Sequence, residues 1–273
     1  MPTMDSPATP EHPPPDGNIP DFPQDFDDDL DLNPELYDAS DTEEPPSTGV
    51  SQLVDTFTTS TELAIDHAKS QFVTEPVVLS GGQVSQFIMD IDAQILAVQR
   101  RFIKSQAGEL ECSVFEMIDG FNPIIASIWT TVTQRNRLFG QQDYFIRILG
   151  LFEDILAHFR RPFGTVDVSR ALPASVLTQM LKYFTFFQSL DVYLSIFIDG
   201  YDGPQQKRHQ MSRTELVRLV PLVNRVRMVV AAQLGPFMEK LVFVEDETYA
   251  SLRQVLDIEL TRVFEGVLDR TNS

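Results

Sequence analysis

From residue 51 onward, apolar side chains recur three and four positions apart, the spacing that places them on one face of an α-helix. Leu53, Phe57, Leu63 and Ile65 begin a first helix, which ends before Pro76 because proline has no N–H and disfavours helical geometry in the residue before it. The turn Ser80-Gly81-Gly82 opens a second, striped by Val84, Phe87, Ile88, Ile91, Ile95, Leu96, Val98 and Phe102. After Gly108 a third runs from Cys112 to about Phe139, with Gly120 and Pro123 expected to interrupt it. Asp143 is the expected cap of a fourth, marked by Phe145, Ile148, Leu149, Phe152, Ile155, Leu156 and Phe159 and closed before Pro162. Pro173 starts a long buried helix through Ile198, stopped by Gly200 and Gly203. Ser212-Arg213-Thr214-Glu215 has capping-box spacing, so hydroxyl and carboxylate each take one orphan amide. The helix after it carries Leu216, Leu219, Val223, Val226, Val229 and Val230, with Pro221 expected to bend it. A last helix spans about Asp246 to Leu268, and strand-like alternation is confined to spots such as Leu241-Val242-Phe243-Val244. The pattern predicts an all-α fold, a single helical domain of about seven helices over residues 51–273.

Residues 1–50 follow no such period. They hold eleven of the eighteen prolines, fourteen of the forty acidic side chains and none of the basic ones, the first of which is Lys69. The net charge of −19 is therefore mostly a property of this segment. It cannot bury enough apolar surface to offset its ordering entropy, which predicts a disordered, acidic, Pro-rich tail. Its hydrophobes are interleaved with carboxylates: Phe22, Phe26, Leu30 and Leu32 within Asp21–Leu32, then Leu36 and Tyr37. Carboxylates keep such side chains in water and available to a partner's groove, the composition of an amphipathic activation segment. The plainer reading is an acidic tail that only confers solubility.

The charge balance argues against direct binding of nucleic acid, which needs clustered cations. Arg100-Arg101, Arg160-Arg161 and Lys207-Arg208 are isolated pairs and read as solvated helix ends. The single Cys112 rules out an internal disulfide framework and a multi-cysteine zinc site, and its neighbours Val114 and Phe115 predict a buried, inert thiol. His12, His67, His158 and His209 lie in separate segments without metal-ligand spacing. Asp27-Asp28-Asp29-Leu30-Asp31 fits the DDxxD pattern, but in a Pro-rich tail with no second acidic cluster it lacks the fixed oxygens a hard cation needs. Gly81-Gly82-Gln83 is explained by turn chemistry. No catalytic residue, cofactor site or metal site is expected. No signal peptide is recognisable. The most apolar stretch, Val176 to Ile198, is broken by Gln179, Lys182, Gln188 and Asp191 and reads as a core helix rather than a membrane span. A soluble, intracellular protein is expected. Trp129 and the phenylalanines at 145, 152, 159, 184, 186, 187 and 197 read first as core packing, and alternatively as the lining of an apolar ligand cavity.

Residues 105–270 resemble the C-terminal regulatory region of fungal binuclear-zinc-cluster (aflatoxin-regulator-type) transcription factors. Leu110-Glu111-Cys112-Ser113-Val114-Phe115 is similar to that family's first amphipathic helix. The run Leu172-Pro173-Ala174-Ser175-Val176-Leu177 through Tyr183-Phe184 and Leu190-Asp191-Val192-Tyr193 is similar to a later one, and Glu215-Leu216-Val217-Arg218-Leu219-Val220 to the charged helix that follows. The six-cysteine zinc cluster with which those factors read DNA has no counterpart in a chain with one Cys. The resemblance thus implies a shortened factor, a piece of one, or a partner that acts without touching DNA. It also implies a nuclear location and control of secondary-metabolite genes.

Taken together, the sequence points to a transcriptional regulator that acts through protein–protein contacts. Its expected partners are a coactivator or a DNA-binding protein, with homodimerisation through the helical domain a further expectation. The alternative is a helical small-molecule-binding or scaffold protein with a solubilising tail. An unrecognised enzyme ranks last. Residues 15–40 fused to a heterologous DNA-binding domain should activate a reporter, and replacing Phe22, Phe26, Leu30 and Leu32 with Ala should abolish it. Burying each such side chain contributes roughly 1.5–3 kcal/mol, whereas the untouched carboxylates act mainly on encounter rate. A silent fusion, or full activity in the four-alanine variant, would reduce the segment to a solubilising tail.

Overall fold

The computed structural model describes residues 56–136, 140–164, 166, 174–203, 208–243 and 247–272. The chain divides into two units, Met1–Ser51 and Gln52–Ser273, and every described residue lies in the second. That unit is all-α. Among the described residues there are eight helices, α1 (Thr61–Ser70), α2 (Gly81–Gln106), α3 (Val114–Thr133), α4 (Gln141–His158), α5 (Ala174–Asp199), α6 (Arg213–Val242), α7 (Glu247–Arg262) and α8 (Glu265–Asn272). Two short strands, β1 (Tyr201–Asp202) and β2 (Arg208–His209), pair antiparallel between α5 and α6. No helix of the described residues is long and apolar enough to cross a membrane.

Local chemistry explains several helix starts. The Ser80 hydroxyl accepts from the Gln83 N–H while the Gln83 side chain accepts from the Ser80 N–H, so the Gly-Gly-Gln run is the first turn of a capping box. Ser212 and Glu215 form the same reciprocal pair at α6, as the spacing predicts. Ser113 caps α3. At α4 the expectation fails: the cap is Gly140, in the left-handed region at φ +81°, and Asp143 sits in the first turn.

Other expectations are corrected. Phe57 precedes α1 rather than lying within it, stacked on Phe184 with 5.8 Å between ring centroids, while Thr58 is held by Glu259. Leu53 lies outside the described residues. Neither Gly120 nor Pro123 interrupts α3. An interior proline costs about 3 kcal/mol or more, but it is surrounded here by Phe121, Ile124, Ile125 and Ile128, all buried, each worth roughly 1.5–3 kcal/mol. Gly120 has a separate use, since a Cβ there would stand 3.1 Å from Val98, so its absence lets α2 approach α3. Leu241 and Val242 are the end of α6 and not a strand. The small hairpin, by contrast, follows Gly200 at φ +82°, where the backbone carbonyl of His209 leaves no room for a side chain.

The core is organised on α5, which packs against α1, α3, α4 and α8. From Leu190 to Ile198 only Tyr193 is not fully buried, and it stacks on Trp129 at 4.0 Å. Phe152 of α4 meets Phe186 and Phe187 of α5 at 4.5 and 5.8 Å, and Phe187 meets Phe264 at 5.9 Å. The expected aromatic surplus therefore fills the core. On the outer side, α6 packs on α4 and α7, and α2 on α3 and α4.

The expected single last helix is two. The chain breaks at Phe264, whose φ is +56° and whose ring is fully buried. The start of α8 is capped from α5. The first free amides of α8, Gly266 N and Val267 N, donate to the two carboxylate oxygens of Asp191 on α5 at 3.0 and 2.9 Å. Gly266 is required for that approach, because a Cβ there would lie 2.5 Å from Thr61 Cγ2 and 2.6 Å from Ser195 Oγ. Gly266→Ala should therefore destabilise the domain by about 1–3 kcal/mol, the usual range for overpacking, lowering its urea midpoint. Gly81→Ala, at a position with nothing within 4 Å, should not.

Candidate functional site

The tail residues Phe22, Phe26, Leu30, Leu32, Leu36 and Tyr37 lie outside the described residues, as do His12 and the Asp27–Asp31 run. Within the described residues the sequence candidates stay apart. His67 is on α1, His158 ends α4 and His209 is on β2. No group of three His, Cys, Asp or Glu side chains there is placed to share a metal ion. Cys112 is half-buried rather than buried. Burial and a contact from its Sγ to Glu116 Oε2 at 3.2 Å push the thiol upward in pKa, against the pull of Arg101, so the nucleophilic thiolate is disfavoured.

Buried polar groups are where unexpected chemistry would sit, and Glu259, Tyr183, Gln233 and Asp191 each have a structural task, whereas Ser195 Oγ and Tyr201 OH are buried without a hydrogen-bond partner among the described residues. Glu259, almost wholly buried, accepts from the Thr58 N–H and hydroxyl at 2.8 and 2.7 Å, fixing the entry to α1. Tyr183 donates to Gln233 at 2.7 Å, and Gln233 donates to the carbonyls of Leu156 and Phe159 at the end of α4. Burial drives the Tyr183 hydroxyl far above its ordinary pKa, so it remains a donor. Asp191 caps α8. Arg270 joins the same region by pairing with Asp199 at 2.8 Å and Glu62 at 3.2 Å, tying α1, α5 and α8 together.

What remains is surface. One groove of about 430 Å³ runs between α1 and α5, bordered by Leu63, Ala64, His67, Gln188, Val192 and Tyr193. Its lining is mixed, and of the core aromatics only Tyr193 reaches it. A second feature lies along α6, whose exposed face carries Val217, Pro221, Asn224, Met228, Ala231, Ala232 and Gly235. Val217 and Met228 are 74% and 72% exposed, so large apolar groups stand in water where charge would be expected. The charged neighbours Arg218 and Arg225 turn away to Asp143 and Glu153 of α4 at 2.8 and 2.6 Å.

Residues 112–248, half of the chain, match the family TFB6, described as subunit 11 of the general transcription factor TFIIH. The chain belongs to that family. Its role is thereby transcription-related. Among the curated proteins nothing matches the chain, and nothing matches among the solved structures. The matched family is not that of the zinc-cluster regulators whose helices residues 105–270 resemble. In this TFB6-family chain the matched segment runs from the half-buried Cys112 through α3, α4, α5, the hairpin and α6. The groove beside α1 is only half within it, since Leu63 and His67 precede residue 112. The α6 face lies wholly inside.

Sequence reasoning read α6 for its buried stripe and passed over the opposite one. The signal was present: positions 217, 221, 224, 228, 231 and 235 are four, three, four, three and four apart and uncharged.

Burial pushes the Asp191 carboxyl up to about 6, opposed by the Val267 and Gly266 N–H groups and by Arg270. Between pH 6 and about 4 the native state therefore takes up a proton that the unfolded chain does not, and this group adds stability as pH falls through that window. Urea titrations at several pH values should show wild type gaining on Asp191→Asn as pH drops from 7 to 5. Parallel curves for the two proteins would contradict the assignment.

Proposed function

We propose that the protein is a nuclear, non-catalytic transcription subunit that works through protein–protein contacts, with the exposed face of α6 as the dock for a partner in a TFIIH-type assembly. The observation that carries this is the match of residues 112–248 to a family described as a TFIIH subunit. The α6 face supports it. Gly235 sits in the interior of that helix with open space beside it. A helix-interior glycine costs roughly 0.5–1 kcal/mol relative to alanine, and here it also relieves the clash that Pro236 would make with a preceding Cβ. Together with Ala231 and Ala232 it would let a partner helix approach closely.

On the same reading the tail offers a second contact, Phe22, Phe26, Leu30, Leu32, Leu36 and Tyr37 entering a coactivator groove. A finer role in fungal secondary-metabolite gene control rests on the resemblance to zinc-cluster regulatory regions alone. The alternative, a small-molecule-binding or scaffold protein, has the α1–α5 groove in its favour. Full-length protein should co-precipitate TFIIH core subunits from nuclear extract. Val217→Asp with Met228→Asp should reduce recovery by tenfold or more, as for a buried apolar anchor worth about 2 kcal/mol. Leu63→Asp, in the groove, should leave it intact, with circular dichroism unchanged in both. Absence of the core subunits in the wild-type precipitate, or loss only with Leu63→Asp, would sink the reading.

A further inference from the structure

The helix α2 has two apolar faces. One, Ile91, Ile95, Val98 and Phe102, is buried against the neighbouring α3 and α4. The other points to solvent. Met89 is 65% exposed, Leu96 41% and Ile103 61%, with Ala93 between the first two. Positions 89, 93, 96, 100 and 103 follow the four-three spacing of a coiled-coil seam, in which the stem of Arg100 supplies the one non-aliphatic place. Residues 81–106 precede the family-matched segment, so this surface is separate from the α6 dock.

The charges beside the seam decide what fits it. Asp90 flanks its first half and accepts a hydrogen bond from the Gln86 side-chain amide at 2.9 Å. Lys104 flanks the second half on the same side, next to Arg100 in its seam position, and among the described residues neither forms an ion pair. The opposite flank is already neutral, since Asp92 is held by Arg147 at 2.8 Å and by the Tyr144 hydroxyl at 3.3 Å. The helix dipole favours acids early and cations late, but it does not select one flank of an apolar seam.

We propose that α2 pairs antiparallel with α2 of a second copy about a two-fold axis at Leu96. Met89 and Ile103 are each seven residues from Leu96, so the rotation sets Met89 of one copy against Ile103 of the other and Leu96 against itself. The same rotation brings residue 90 to the level midway between residues 100 and 104 of the other copy. A two-fold of this orientation keeps like flanks together, so Asp90 faces Arg100 and Lys104 across the seam on both sides of the axis. The surface is its own complement, as an isologous interface requires. A heterologous partner has no need of this symmetry.

Sedimentation equilibrium of the full chain should give a mass approaching twice 30.9 kDa as concentration rises. Leu96→Asp should raise the dissociation constant at least about 30-fold, the loss expected for a central buried side chain. Asp90→Lys should weaken the dimer, and adding Arg100→Glu and Lys104→Glu to it should restore it. In a Cys112→Ala background, Leu96→Cys should form an interchain disulfide under mild oxidation, which also serves should Leu96→Asp fail to fold. A monomer at every concentration, a dimer indifferent to Leu96→Asp with native circular dichroism, no cross-link through position 96, or a triple charge variant no tighter than Asp90→Lys would each overturn the proposal.

Discussion

A helix that is apolar on nearly every side must be enclosed, and the rest of this domain is arranged to enclose α5. From Leu190 to Ile198 it leaves only Tyr193 incompletely buried, and that ring is covered by Trp129. One neighbour can shield only part of a helix's circumference. Four are needed, and α1, α3, α4 and α8 are those four. The outer helices α2, α6 and α7 then cover the remaining apolar faces of that inner set. Phenylalanine does much of the filling, because its rings meet edge to face at 5–6 Å and lock neighbouring helices at several points.

Enclosure creates a difficulty for polar groups, and the domain meets it by using them across helices. Backbone groups at helix ends lack partners within the helix. When such an end is buried, the partner must come from elsewhere in the fold. Asp191 supplies acceptors to the start of α8, Gln233 supplies donors to the carbonyls at the end of α4, and Arg227 reaches the Val263 carbonyl just past α7. Each of these side chains would be expensive to bury alone. Placed at a helix end, each satisfies two or more groups at once.

With the interior committed in this way, function falls to the outer faces. Two helices present apolar stripes to solvent, α2 with Met89, Leu96 and Ile103, and α6 with Val217 and Met228. They differ in charge. On α6 the flanking Arg218 and Arg225 are neutralised within the chain and Arg227 bonds backbone carbonyls, which leaves a face suited to a partner of unrelated sequence. On α2 the charges beside the seam remain unpaired and are ordered by sign along one flank, which suits a second copy. One rigid core can thus carry two separate contacts without either disturbing the packing of α5.

Much of this was legible in the sequence. The all-α class, the stripes of α4, α5 and α6, that of α2 apart from Leu96, which turns to solvent, the capping boxes at Ser80 and Ser212 and the stop at Gly200 follow from rules that act within a few residues. So does the reading of the aromatic surplus as core. The misses share a cause. Pro123 is expected to break α3, yet the buried isoleucines around it outweigh the lost hydrogen bond. Asp143 is expected to cap α4, yet Gly140 takes the left-handed turn instead. The break between α7 and α8 carries no local signal, because its cap is a carboxylate more than seventy residues earlier. The solvent faces of α2 and α6 could be counted on a helical wheel, but only the packed structure shows which apolar stripe is covered and which is not. Local sequence sets where a helix can form, since caps and periodicity act along the chain. Which ends are satisfied and which faces stay bare is decided by neighbours distant in sequence, because burial and hydrogen bonding depend on what lies adjacent in space.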